Sequence, residues 1–582
     1  MANNSKNIIL DRQFVVWSLV AMLVSFMLTF GDGFWSDIQF WVDWSTHLSK
    51  QGYEKFPGNY PPLYVHWLWC VGNFFRITST DISISIILKF VVLLPVYLSQ
   101  QFFIYLIWKQ VRPYFSTTFT TLLFALTALN PAIYLDGPVW GQVDILATVP
   151  LTLSLLWISD PKMRHFASTA FVVAILTKFQ SIAVLPVFGG VFLRHFRSSI
   201  RGVPLAILAI LIIIAPFMWA GSLEELWNNA FAGASSMYPF SSLNAGNLWM
   251  LVHGNSKDIY HSFLPNAPWI LPKIFTPNIL GRIFFILFSL LTLFYSIFKG
   301  NRRNVFGLAA LNAWAFFALL PGMHERYMFM VVPLTIAWAI FKPKAWPWTL
   351  VSTFLVSWNI ILINPLAGEY LWTPLSILVL LGLLLSSVFA LAPNFWSKTK
   401  KHYEKLKLSP KLVIIFWLIG LTAMLGGIYS HLRSISYKLQ ENEVFLHENK
   451  LFELNHTDKF PVRYNRSTDN NLLRCNDRIY EKGIGLHAPS HLYTNLPSNA
   501  DSLFVETCLD NEVAKHGRLS FSIKVDGHTV WKSPIMRGGQ ASVQARIPLK
   551  DAETLELLVH TEGDDRWDHA NWINPVIKLR EN

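Results

Sequence analysis

Five short polar segments interrupt an otherwise apolar chain, and they hold the residue types that a group-transfer reaction needs. Asp37 lies in GDGFWSDIQFWVDW, Asp136, Gln142 and Asp144 in DGPVWGQVD, Lys178 and Gln180 in TKFQ, Asn247 in NAGNLW, and His324, Glu325 and Arg326 in HERY. A carboxylate can take a proton from an attacking hydroxyl, and fixed cations can stabilise the charge that develops on a departing phosphate. Arg grips two phosphate oxygens at once, whereas Lys acts as a point charge. Asp136 and Asp144 would suit sugar hydroxyls or a divalent ion, but no clear ligand spacing occurs, and the expectation is a site with no metal and no cofactor. Singly, Asp43, Asp136 or Glu325 would equally serve a buried ion pair or hydrogen bond that fixes helix packing, and Arg326 a snorkelling anchor.

The elements that position these residues must be membrane spans. Of 582 residues only 14% are charged, against about 25% in soluble domains, which excludes a single soluble globular domain. Residues 435–582 carry 18 basic and 21 acidic groups, leaving 30 basic and 15 acidic in residues 1–434. A basic excess on an apolar body reflects cytoplasmic anchors rather than a nucleic-acid surface. Lys6 and Arg12, Lys109 and Arg112, Lys162 and Arg164, Arg194 to Arg201, Lys299 to Arg303, Lys342 and Lys344, and the lysines from Lys398 to Lys411 are all placed inside by the positive-inside rule. The path has about thirteen spans, from residues 13–30 to 412–430. Residues 64–77 read as an amphipathic helix in the outer interface, 84–107 as the second span, and 166–193 as a broken pair interrupted by Lys178 and Gln180. All five polar segments then fall on the outer face, and charges there mark function by default.

These segments resemble, in order, the polyprenyl-phosphate-sugar-dependent glycosyltransferases of the GT-C superfamily, particularly the glucosyl- and mannosyltransferases that extend lipid-linked oligosaccharides. That family has an acidic residue soon after span one, a Trp seven positions later and then D-Y-P-P; here stand Asp37, Trp44 and Asn59-Tyr60-Pro61-Pro62. Asn59 replaces the acid, so no proton-transfer role carries over to it. TKFQ is similar to the family's K-Q element, NLW to its N-x-W and HERY to its H-E-[KR]. The resemblance covers residues 13–395. It implies a GT-C fold in a domain spanning 1–434 and inverting transfer of a hexose such as mannose or glucose from a polyprenyl phosphate to a glycan or glycolipid acceptor. Asp37 would be the base, and Arg326, His324, Lys178, Gln180, Asp136, Asp144, Gln142, Glu325 and Asn247 would bind donor phosphate and sugar. The polyprenyl tail would need an apolar groove open to membrane lipid.

Residues 435–461, with Glu441, Glu443 and Glu448, read as a helical linker. From 462 to 582 short alternating strands predict an all-β antiparallel sandwich. Cys475 and Cys508 both lie in this part and would form a disulfide in an oxidising compartment. EKGIGLHAPS, VDGHTVWKSP and DDRWDHANWINP are similar to the NPCBM module, a β-sandwich related to carbohydrate-binding families. That likeness implies sugar recognition by His487, Asp568, His569, Asn571 and Trp572, with Trp567 or Trp572 stacked on a pyranose. Equally, DHANW would serve as a cap whose Asp and His satisfy backbone groups.

The expectation is therefore a multi-pass protein of the cell membrane, inner or plasma, with its active site and C-terminal domain outside the cytoplasm. A transporter or flippase of lipid-linked sugars would also need many spans, and the departure at Asn59 leaves open an inactive glycan receptor. A transporter should show polar residues at mid-membrane in inverted repeats, and neither is found. A reporter fused after Lys401 is expected in the cytoplasm and one fused after Tyr437 outside, because the lysines from 398 to 411 precede the last span. Cysteine labelling at Ser36 from the cytoplasmic side only would invert the assignment.

Overall fold

The computed structural model describes residues 2–580 except 392–436 and the short stretches 32, 79–81, 83–85, 112–116, 233–238, 256, 261, 264–270, 363–370, 458–459, 470–472, 476–477 and 514–516. Two compact units result, one helical and one built of strands.

Among the described residues of the helical unit, six helices are long and apolar enough to cross a membrane: Ile8–Thr29, Ile86–Val111, Thr118–Trp140, Phe196–Trp219, Pro277–Lys299 and Trp372–Leu391. Five shorter apolar helices accompany them, Asp144–Ile158, Arg164–Thr177, Phe179–Arg194, Val305–Leu319 and Val331–Phe341. The last expected span, 412–430, lies outside the described residues. Leu19, Met27, Ile212 and Leu287 are exposed on the long helices, an arrangement that lipid rewards and water would not.

Two shorter helices lie between the first two long ones. After α1 (Ala2–Thr29) the chain forms α2 (Trp35–Gln51), whose Ile38, Trp41, Val42, Ser45, Leu48 and Ser49 make a buried stripe at helical spacing. Asp37 sits in its first turn, where the helix dipole favours a negative charge. The YPP sequence then starts α3 (Pro62–Ile77) with proline at its first turn, where the missing N–H costs nothing. α3 crosses α2 closely: a Cβ on Gly72 would lie 2.1 Å from the Ser45 carbonyl oxygen. α4 (Ile86–Val111) follows and coincides with the expected second span. Its Lys89 reaches back to donate to the Gly31 carbonyl at 2.6 Å.

α5 (Thr117–Ala128) and the single turn α6 (Pro131–Tyr134) lead into a π-helical turn, Leu135–Trp140, with Pro138 inside it. Gly141 closes that turn at φ 102°, a conformation a side chain would oppose. α7 (Asp144–Ile158) begins at the second carboxylate of DGPVWGQVD. The interrupted pair is also present: α8 (Ala167–Thr177) stops at Lys178, whose backbone is extended, and a 3-10 turn Phe179–Val184 precedes α9 (Leu185–Arg194).

The strand unit is a sandwich of two sheets. One runs Val543–Pro548, Ala500–Leu509, His569–Leu579, Gly483–His487, Arg463–Tyr464, and its central strand also pairs with Glu443–Phe445. The other runs His528–Lys532, Arg518–Val525, Thr554–Thr561, Ser490–Asn495, Asn455–His456, with Met536–Arg537 beside Arg518–Val525. Leu503, Val505, Phe521, Ile523, Leu557 and Trp572 fill the space between the sheets. The expected helical linker is corrected: residues 443–445 and 455–456 are strands, one in each sheet. The apolar Val444, Phe445 and Leu446 gain more from joining the sandwich than the glutamates gain from helix propensity.

Cys475 and Cys508 form a disulfide across a sequence separation of 33, packed beside Leu473, Tyr480 and Ile573. Closing a loop of that length in the unfolded chain stabilises the fold by roughly 2–4 kcal/mol. Replacing both cysteines with serine is expected to lower the urea midpoint of the sandwich accordingly, and an unchanged midpoint would mean that the bridge constrains nothing.

Candidate functional site

A cleft opens in the helical unit between α2, the segment before α3, the Lys178 break and the HERY turn. Asp37, Gln142, Lys178, Gln180, His324 and Arg326 line it, together with Phe40, Trp41, Trp44, Asn59, Tyr60 and Tyr327. The two-residue strands Ser242–Leu243 and Met323–His324 pair in parallel and hold the turn that carries His324 and Arg326.

Charge in the cleft is arranged in pairs. Asp144 forms an ion pair with Lys178. Glu325 Oε1 accepts from Arg326 Nη1 at 2.5 Å, and Asp37 Oδ2 lies 3.9 Å from Arg326 Nη2. The buried Nε of Arg326 has no hydrogen-bond partner among the described residues. His324 Nδ1 stands 3.7 Å from Glu325 Oε2.

An aromatic wall completes the site. Tyr60 meets Trp41 edge-on at 5.2 Å, lies 5.7 Å from Trp44 and donates its hydroxyl to Gln142 Oε1 at 2.7 Å. Lys178 lies over the Tyr60 ring, with Nζ 5.6 Å from its centroid. Phe40 stacks with Trp44 at 5.5 Å. Flat faces beside amide groups and fixed cations suit a pyranose that bears an anionic group.

Of the residues expected from sequence, Asp37, Gln142, Lys178, Gln180, His324 and Arg326 meet in the cleft. Asp144 and Glu325 stand behind it as counter-ions. Asp136 is buried in the π turn, and neither carboxylate oxygen has a hydrogen-bond partner among the described residues. Asn247 is corrected: it caps the helix Leu248–Val252 by accepting from Trp249 and Met250 N–H, donates to the Phe317 and Leu320 carbonyls, and is fully buried. With both ends of its amide committed, it has nothing left for a substrate. Sequence reasoning assigned no role to Trp44, Tyr60, Tyr327 or Trp140; the YPP, DGPVW and HERY motifs contain three of them, but only folding brings those motifs together.

In the sandwich, Trp572 is wholly buried and packs edge-on against Phe521 at 5.0 Å. It cannot stack on a sugar, which corrects that expectation. Asn571 is also fully buried and donates to Asp510 Oδ2 at 2.6 Å, and Asp568 is buried with its Oδ1 accepting the Arg518 N–H at 2.7 Å. These three hold the fold. Trp567 is half-buried against the core.

His487 and His569 remain near one another, with ring centroids 5.3 Å apart and Phe460 4.4 Å from His487. His569 Nδ1 bonds to Glu512 Oε1 at 2.7 Å, and the ligand atoms of Asp469, Glu512 and His569 lie within 4.8 Å of one another. Burial opposes the charge on His569, but Asp469, Glu512 and Asp510 outweigh it and push its pKa up to about 9. Burial, then the charge of Glu512, pushes the Asp510 carboxyl up to about 8, against hydrogen bonds from Arg474 N–H and Asn571.

Fold and site together define a multi-pass membrane domain with a polar cleft, followed in the chain by an antiparallel β-sandwich. Residues 443–578 match the NPCBM/NEW2 domain. The α-1,3-galactosidase B of Akkermansia muciniphila is 29% identical over 121 residues, 20% of this chain and 15% of that enzyme, so the chain spans only a small part of that relative's length. Among solved structures, the CBM51 module of Clostridium perfringens GH95, in complex with methyl-galactose, is 26% identical over 23% of this chain and 99% of its own, with a TM-score of 0.22. ArnT from Cupriavidus metallidurans is 13% identical over 65% of this chain and 78% of its own, with a TM-score of 0.35.

The raised His569 stabilises the sandwich fully below its ordinary value of 6.5, and that contribution is lost as pH rises through about 9. Asp510 acts in the same direction: its folded site favours the protonated form, so ionisation as pH rises toward about 8 costs stability. The domain expressed from residue 437 is expected to melt at a lower temperature at pH ~9.5 than at pH ~6.5, and His569→Gln should flatten that slope. A melting temperature independent of pH across this range would mean that the cluster is not charged as described.

Proposed function

We propose that this protein is an integral-membrane glycosyltransferase of the GT-C type, moving a hexose such as mannose or glucose from a polyprenyl phosphate onto an extracytoplasmic glycan or lipid-linked acceptor. The observation that carries the reading is the meeting of Asp37, Lys178 and Arg326 in one aromatic-walled cleft, because three segments far apart in sequence supply a base and two phosphate-binding cations to the same space. The order of the five motifs supports it independently.

The chemistry is a single displacement with inversion. The acceptor hydroxyl attacks the anomeric carbon and gives its proton to Asp37. The carbon–oxygen bond to phosphate breaks on the opposite face, and the phosphate leaves as an anion, so it needs no acid. Arg326, through its free Nε–H, and Lys178 receive that anion. Glu325 and Asp144 keep those cations fixed before the donor arrives, so little reorganisation is needed as charge develops. His324 and Gln180 complete the phosphate side, while Trp44, Tyr60 and Gln142 hold the sugar. Asp136, beneath the cleft, adds negative charge that balances Lys178 and Arg326. No residue set in the cleft calls for a metal.

The NPCBM/NEW2 domain is the acceptor-holding module in this reading, with its sugar contact at the end of the sandwich where His487, His569 and Trp567 lie. Asp37→Asn is expected to lower transfer by about 10² to 10⁴ while donor binding is kept, since the amide retains size and hydrogen bonding but cannot take the proton. Arg326→Lys should weaken both donor affinity and rate. The assay is transfer or hydrolysis of radiolabelled polyprenyl-phosphate glucose, mannose, galactose and arabinose by purified protein; silence across all four, or full activity of Asp37→Asn, would sink the reading.

A further inference from the structure

Asp37 does not stand in the cleft by itself. Its Oδ2 accepts a hydrogen bond from the indole Nε1 of Trp140 at 2.5 Å, across 103 residues of sequence. Oδ2 is also the oxygen that faces Arg326 at 3.9 Å. No hydrogen bond reaches Oδ1 among the described residues. The two oxygens of the carboxylate are therefore unlike: one is committed, and the other is open to a proton.

Trp140 is itself held from several sides. It ends the π turn, stacks on Phe34 with centroids 4.4 Å apart, and its carbonyl accepts the Phe34 N–H at 2.8 Å. The Arg326 guanidinium lies over its ring, 5.7 Å from the centroid. The following Gly141 carbonyl accepts from Trp41 Nε1 at 2.9 Å, so α2 and the π turn are joined by reciprocal tryptophan contacts on both sides of Asp37. An indole N–H cannot ionise and only donates, which makes it a fixed anchor for a carboxylate that must keep its remaining lone pairs available. The energetic logic is positional: displacing a catalytic group by about 1 Å can cost on the order of 10² in rate.

We infer that Trp140 is the positioning residue of the base, its indole N–H pinning Asp37 Oδ2 so that Oδ1 takes the acceptor proton. The inference rests on the glycosyltransferase reading for its chemistry, but its geometry can be tested apart from it.

Two substitutions separate the N–H from the bulk. Trp140→Phe keeps an aromatic ring for Phe34 and Arg326 and removes the donor. Trp140→His loses bulk but places its Nε2 where the indole nitrogen stood, because both five-membered rings are attached in the same way. With polyprenyl-phosphate glucose or mannose as probe, Trp140→Phe is expected to lose about 10- to 100-fold in kcat with donor KM within about twofold, and Trp140→His to recover most of that loss. A merely structural role gives the reverse order, since Phe fills the site better. Trp140→Phe placed on Asp37→Asn should cost nothing more. A cryo-EM structure of the full chain carrying Trp140→Phe is expected to show the Asp37 carboxylate rotated away from its present position. The inference is overturned if Trp140→Phe turns over at the normal rate, if Trp140→His is as slow as Trp140→Phe, or if Asp37 is unmoved in that structure. Should the unaltered protein transfer none of the four sugars tested above, the glycosyltransferase reading falls on its own, and the position of Asp37 in the variant still decides whether Trp140 holds it.

Discussion

Asp37, Lys178 and Arg326 share one cleft, and each is set beside an opposite charge. A lone carboxylate or ammonium moved to such a place would lose several kcal/mol of hydration. The pairs Asp144 with Lys178 and Glu325 with Arg326 offset that cost, and they explain why the polar motifs occur in acid–base couples. The surrounding folds follow from keeping these couples in register. α2 must present its first turn to the cleft, the π turn must bring Trp140 to it, and the chain must break at Lys178 so that a cation can project where a continuous helix would have continued its apolar face.

The aromatic wall has a second role in this arrangement. Trp41, Trp44, Tyr60 and Tyr64 form a chain of edge-on and tilted contacts from 5.2 to 5.9 Å. Rings have few torsions to lose, so the wall stays rigid around groups whose charges would otherwise pull it into other shapes. Tyr60 links the wall to the polar side through Gln142 and through the cation above its ring.

Much of this was legible in the amino-acid order. The polar motifs, a helix over 64–77 and the break near Lys178 follow from charge placed against hydrophobic length, which is a local property. What escaped is non-local or depends on packing. Asn247 looks like a polar residue at membrane depth, yet its position before Leu248–Val252 makes it a cap whose donors and acceptors are already used. Trp140 had no assigned role, because its partner stands 103 residues away. In the sandwich, DHANW suggests an exposed loop by composition, whereas His569–Leu579 is a strand buried along nearly its whole length, and Trp572 belongs to the core. The glutamates of 441–448 suggested a helix, and a neighbouring apolar triplet overrode them.

The strand His569–Leu579 is the hub of its sheet: it pairs with Ala500–Leu509, Gly483–His487 and Glu443–Phe445, all from the first half of the domain. Every one of those partners is synthesised before it. Until residue 579 has left the ribosome, three strands wait with open edges, and their contacts are of the long-range kind that forms slowly. Unpaired edges invite the wrong neighbour, so the interval between the emergence of Glu443 and that of Leu579 is when a chaperone has most to do. The disulfide joins residues that both precede the hub, so it can tie the early strands together during that wait.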